Sequence, residues 1–258
     1  MAWEIGNWRR WMGGALTATA AALLATACSA GDTPAKQAAA AEPVAAPPRS
    51  DAVVRSEFET FEATGTDMAD LLSAIRDTEP AIYDKLVQIA ASPSWTGSPA
   101  DAMVIGRPLY LAAFSRKAPF ASDAEVGELI DTLIASHKAL IGPAPLLCAK
   151  GDKADIGQLA KYVPADLLAR ENRLQARVLR VSSDTAPRAT QAEIEEWKAR
   201  KFKGNEARLQ GNQYFDIDDP TPEQATKICD AEMFILEQIA REPARQRAYF
   251  YRGLLLPR

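Results

Sequence analysis

The chain has 258 residues, a formal charge of −4 at neutral pH, one histidine and three cysteines. A mildly acidic balance gives no electrostatic reason to expect nucleic acid as a partner. One histidine excludes zinc sites built from several His. A hydrophobic fraction of 47% is ordinary for a domain with a real core.

Residues 1–27 read in three zones. Arg9 and Arg10 supply a positive start, Trp11 to Ala27 carries no charge and is dominated by Ala and Leu, and small residues close the run just before Cys28. This is the layout of a secretory signal. The uncharged run is shorter than the ~20 residues an untilted spanning helix needs. Arg9-Arg10 could suggest twin-arginine export, but the flanking Asn7-Trp8 and Trp11-Met12 fit that pattern poorly.

Leu24-Ala25-Thr26-Ala27-Cys28 resembles the lipobox of bacterial lipoproteins, with Ala25 where that class most often has Leu. The resemblance covers the leader alone. It implies cleavage before Cys28, acylation of that residue, and a membrane attachment that two or more acyl chains make stable. Ser29 after the cysteine implies an outer-membrane address facing the periplasm. The competing reading is conventional cleavage nearby, at Thr26-Ala27 or Ser29-Ala30. Removing residues 1–27 takes away Glu4, Arg9 and Arg10 and turns the formal −4 into −5. Export removes nucleic acid further from the expected partners.

With Cys28 assigned to lipid, Cys148 and Cys229 remain, and an exported compartment permits a disulfide between them. The alternative is two separate buried thiols acting as small apolar residues. Zinc sites built from Cys would need thiols that the readings of Cys28 as a lipid site and of Cys148 and Cys229 as a bridge assign elsewhere, and no metal or cofactor is expected. Residues 28–50, rich in Ala and Pro, lack the bulk to fold and read as an extended tether. At ~3.1 Å per residue such a segment reaches up to about 60 Å.

Residues 51–258 carry helical patterning. Met68, Leu71, Leu72 and Ile75 mark one helix face after Thr66. Thr78 reads as the cap of a second helix bearing Ile82, Leu86 and Ile89. Ser98-Pro99-Ala100-Asp101 opens a third, which Pro108 should kink or split. Capping boxes begin at Ser122, Thr190 and Thr221, and Pro164 opens a helix carrying Leu167, Leu168, Leu174, Val178 and Val181. Gly142-Pro143 and Gly204 are stops, and a last short helix runs from Pro243 to Gly253. No period-two alternation is sustained. The expectation is one all-α domain of seven or eight helices in an irregular bundle.

His137 lies on or beside the apolar stripe of the helix after Ser122, and reads as a histidine packed at the edge of the core. Asp216-Ile217-Asp218-Asp219 is the densest acidic cluster. Counted from Asp216, Thr221 and Lys227 stand where a calcium-binding EF-hand loop needs Gly and Glu, so acidic decoration of a helix start is preferred. Arg170, Arg173, Arg177 and Arg180 are spaced to share one side of one helix. They are either a docking stripe for a phosphate-bearing lipid or an acidic protein, or a solvated face paired to neighbouring helices. Glu171 and Glu195-Glu196 are the evident candidates to relieve their repulsion. The basic and aromatic residues Arg245 to Arg252 read as core aromatics flanked by surface arginines.

No catalytic signature accompanies these features, so the expected function is a membrane-tethered envelope lipoprotein with a non-enzymatic, protein-binding helical domain. An inhibitor or immunity protein is one version. The alternative is an envelope hydrolase that cleaves cell-wall glycan or peptide through carboxylates such as Glu125 and Glu128, whose pairing depends on three-dimensional separation.

Overall fold

The structure, a computed structural model, describes residues 49–255 apart from 94, 152, 153 and 155. The leader, Cys28 and nearly all of the tether lie outside the described residues. Among the described residues there is no strand; twelve α-helices and two short 3-10 helices build the domain. The chain runs α1 (Asp51–Glu62), α2 (Asp67–Thr78), α3 (Pro80–Ala91), α4 (Pro99–Ile105), α5 (Arg107–Lys117), η1 (Ala118–Phe120) and α6 (Asp123–Leu140). It continues with α7 (Pro145–Lys150), α8 (Ile156–Leu159), α9 (Ala165–Leu179), α10 (Gln191–Lys201), η2 (Arg208–Tyr214), α11 (Pro222–Ala240) and α12 (Ala244–Leu255). None of the described helices is long and apolar enough to cross a membrane.

Helix starts follow the caps. Ser98, Ser122, Thr190 and Thr221 each accept from the backbone N–H three residues on, while Asp101, Glu125, Glu193 and Gln224 reach back to the cap N–H. Two donors that would otherwise lack partners are satisfied at each start, worth ~1 kcal/mol per cap. Thr66 also caps α2. Thr78 does not cap α3: it ends α2, its hydroxyl donates to the carbonyl of Ala74, and Glu79 stands at the α3 start without a side-chain capping bond.

The helix count exceeds seven or eight for identifiable reasons. Pro108, at the second position of α5, splits the expected third helix into α4 and α5 at Gly106. Helices α7 and α8 have six and four residues, too short to show an apolar period. At the other end, α12 runs through Gly253 to Leu255 instead of stopping there. That glycine is a contact residue: a Cβ on it would lie 2.7 Å from the carbonyl oxygen of Ala189.

Two apolar clusters form inside this frame. The larger gathers Phe58, Leu71, Leu72, Ile75, Leu86 and Met103 with Ile130, Leu174, Trp197, Phe234 and Tyr251. The smaller is built from Leu140, Ala144, Cys148, Leu159, Val163, Ala225, Ile228 and Cys229. Helix α6 gives Val126, Leu129 and Ile130 to the first and Leu140 to the second, and α11 is likewise divided. Cys148 and Cys229, separated by 81 positions in sequence, are joined in a disulfide with Cα atoms 6.0 Å apart, tying α7 to α11 within the smaller cluster.

Candidate functional site

Helix α9 presents its arginines to two neighbours, α2 and α6. Arg173 meets Asp67 at 2.8 Å, and Arg180, the residue that ends α9, meets the two carboxylate oxygens of Asp70 at 2.7 and 3.3 Å. On the other side Arg170 lies 3.4 Å from Glu128, Arg177 pairs with the same carboxylate, and Glu125 stands 3.9 Å from Arg177. Four guanidinium groups therefore face four carboxylates, and the stripe is electrically balanced.

The carboxylates that balance it are not those expected from sequence. Glu171 turns to Arg107 at 3.1 Å and accepts from Gln175, while Glu195 and Glu196 pair with Lys198 and Arg200 on their own helix. Local spacing exposes only partners on the same helix, whereas Asp67, Asp70 and Glu128 are brought in by packing. The four arginine side chains keep 38–48% of their surface exposed. At that exposure each pair is worth ~0–1 kcal/mol, so the set orients α2, α6 and α9 more than it stabilises them. Hydrogen bonding and charge from Asp70 also raise the Arg180 pKa above its ordinary value, against a smaller effect of burial.

A second ionisable site lies deeper. His137, near the end of α6, is 6% exposed and Glu232, in the middle of α11, is 4% exposed. The imidazole Nε2 is 3.0 Å from Glu232 Oε2, and Nδ1 is 2.7 Å from the carbonyl oxygen of Leu133. A carbonyl accepts only, so Nδ1 carries a hydrogen and donates it. The Nε2–Oε2 contact then needs one proton, held on either side. Burial opposes the charge on His137, but the bond and charge of Glu232, with the Leu133 bond, outweigh it and raise the His137 pKa. Burial raises Glu232 as well, more than His137 lowers it. The histidine therefore has an ionisable partner and is more deeply enclosed than a core-edge position. The sequence signal for that partner is a Glu three residues after Cys229 and four after Ile228, on the inward side of α11.

The remaining features resolve as follows. Asp216 to Asp219 are exposed and precede Thr221, the cap of α11. No cluster of three or more His, Cys, Asp or Glu residues placed to hold a metal ion occurs among the described residues. The C-terminal aromatics are core residues in part: Tyr251 is fully buried and Phe250 stacks on Trp197 with centroids 5.4 Å apart. Arg252, expected at the surface, is buried. It donates to the carbonyls of Pro119 and Ala121 at 2.8 and 2.7 Å and meets Asp123 at 2.7 Å, fastening α12 to the turn before α6.

Two described carboxylates, Glu62 and Glu232, have raised pKa values, both with burial as the leading cause. Glu62 ends α1 and pairs with Arg76 of α2, whereas Glu232 sits in α11 against α6. Comparison with known proteins finds no matching family model, no matching curated protein and no matching solved structure.

Proposed function

We propose that this chain is an exported lipoprotein, tethered through lipid on Cys28, whose helical domain binds another envelope protein without catalysing a reaction. The observation that supports the address is the Cys148–Cys229 bond. It uses the two cysteines other than Cys28 and is of the kind that exported compartments permit. The observation that supports binding over hydrolysis is the use of the ionisable groups. A glycan or peptide hydrolase of this kind needs two carboxylates facing one substrate. Here Glu125 and Glu128, the acids first considered for that role, are engaged by Arg170 and Arg177. Glu62 pairs with Arg76 and Glu232 with His137, on different pairs of helices.

Mass spectrometry of the mature N-terminus should find acylated Cys28, and Cys28→Ser should release the domain from membranes. A start downstream of residue 28 would overturn the address. In intact envelopes, site-specific crosslinking should trap one protein partner with the wild-type chain. Charge reversal at Arg173 and Arg177 tests whether the α9 stripe takes part in that contact. Cleavage of purified cell wall that a single carboxylate substitution abolishes would replace this reading with the hydrolase.

A further inference from the structure

We propose that residues 182–186 are the docking segment of this domain and join an open sheet edge of the partner protein as an added strand. This pairing rests on the protein-binding reading above.

α9 ends at Leu179 and α10 starts at Gln191, and from Val181 to Thr190 the chain runs between them without a helix, turn or bend. Both ends of this stretch are fixed on the larger cluster. Val181 packs against that cluster, its N–H donates to the carbonyl of Val178 at 3.0 Å, and Asp70 holds the preceding Arg180. At the other end Ala189 is 4% exposed, and its N–H donates to the carbonyl of Tyr249 of α12 at 3.1 Å. Thr190 then opens the capping box of α10, whose Glu193 also accepts from the Tyr249 hydroxyl at 2.9 Å. Residues 182–188 are exposed apart from Ala186, which is half-buried. A segment held extended between two anchors has already lost much of the backbone freedom that binding would otherwise remove.

The two edges of the segment differ. In an extended chain the N–H and C=O of one residue point to one edge and those of the next residue to the other. On the edge of residues 183, 185 and 187, the Ser183 hydroxyl accepts from the Thr185 N–H at 3.3 Å and donates to the Thr185 carbonyl at 2.8 Å. Pro187, on that same edge, has no N–H. On the edge of Ser182, Asp184 and Ala186, no main-chain N–H or C=O is bonded to another group among the described residues. One edge is closed, and the other offers three donors and three acceptors at alternate residues. Pro187 also keeps Ala186 extended. Such a segment can pair on one side only, and main-chain pairing of this kind is how an extended peptide adds to an exposed sheet edge.

The test uses the full mature chain with its disulfide intact. A photoreactive side chain at Thr185 should trap one protein in intact envelopes, and that protein, purified, is the probe for the binding measurements. In its presence the amides of Ser182, Asp184 and Ala186 should exchange about tenfold more slowly, while that of Ser183 keeps its rate. Asp184→Pro removes the central donor of the open edge and suits an exposed, extended backbone. It should weaken binding about tenfold and leave the urea midpoint in place, whereas Asp184→Ala keeps the donor and should bind like wild type. Unchanged exchange at residues 182, 184 and 186 overturns the proposal, and so does full binding by Asp184→Pro. A protein trapped through exposed Asp131 of α6 or Glu196 of α10, but not through Thr185, overturns the docking segment and leaves the protein-binding reading standing. No protein trapped from any of the three positions overturns both.

Discussion

Gly211→Ala isolates a backbone contact on which the packing of η2 against α11 depends. A Cβ built at Gly211 lies 1.9 Å from the carbonyl oxygen of Lys227, 2.3 Å from its carbonyl carbon and 2.7 Å from the nitrogen of Ile228. All three are main-chain atoms of α11, so no side chain can swing aside. Restoring ordinary contact of 3.4 Å requires η2 and α11 to part by about 1.5 Å. Overpacking costs ~1–3 kcal/mol where side chains can adjust; against a rigid helix backbone the expected loss is at the top of that range, about 3 kcal/mol. With a urea dependence of ~2–3 kcal/mol/M, the unfolding midpoint should fall by roughly 1 M. Gly142→Ala is the control, because a Cβ there meets nothing within 4 Å and its φ is not in the left-handed region. That change should leave the midpoint in place or raise stability by ~0.4–1 kcal/mol through the unfolded chain. Equal midpoints for the two variants, measured by circular dichroism with the disulfide intact, would refute the close-approach reasoning.

Replacing Cys148 and Cys229 together by Ala should remove stability that the chain-entropy model puts at roughly 4.5 kcal/mol for a closed loop this long, read from the same urea curves. Arg252→Ala strips donors from the carbonyls of Pro119 and Ala121, and an expected loss of about 3 kcal/mol should appear as a lower midpoint. Ser122→Ala removes one half of the α6 capping box and should cost ~1 kcal/mol, with restoration by Asp at the same position. For the α9 stripe, salt should weaken the wild-type domain slightly, since its exposed pairs are attractive. With Arg173 and Arg177 both changed to Glu, the same carboxylates repel, and added salt should raise the unfolding midpoint instead.

Local chemistry made the helix starts legible, because a capping box is written within four residues. Ser98, Ser122, Thr190 and Thr221 could each be read without knowing what the helix packs against, and Pro108 announced the break between α4 and α5 in the same way. Thr78 shows the limit. A threonine can cap the next helix or bond back within its own, and the choice depends on where Glu79 and Pro80 turn the chain. The disulfide followed from counting once Cys28 was set apart. The partners of the arginines and of His137 could not be read, since Arg173 and Asp67 are 106 residues apart, and His137 and Glu232 are separated by 95. Glu232 was the nearest to a visible signal: an ionisable residue on an apolar helix face must either be paired or neutral when buried. Arg252 carried the same kind of signal among Tyr249, Phe250 and Tyr251.

Helix α11 explains why these separate contacts belong to one mechanical unit. Its 19 residues span ~28 Å. Ala225, Ile228 and Cys229 enter the smaller cluster near its start, and Phe234, Ile235, Leu236 and Ile239 enter the larger one beyond. Between the two sets stands Glu232. The Gly211 contact bears on residues 227 and 228 of the same helix, and Arg208 holds Asp230 at 2.6 Å. A hydrogen-bonded helix transmits displacement along its axis far better than a loop does, so strain at η2, at the disulfide or at His137 reaches the same few residues of α11. The smaller cluster contains few large side chains and would be a weak unit alone. Its order depends on α6 and α11, which are themselves fixed in the larger core. The consequence is a hierarchy: the larger cluster can remain folded while the α7–α8 lobe loosens, whereas loss of the larger cluster removes both helices against which the lobe is built.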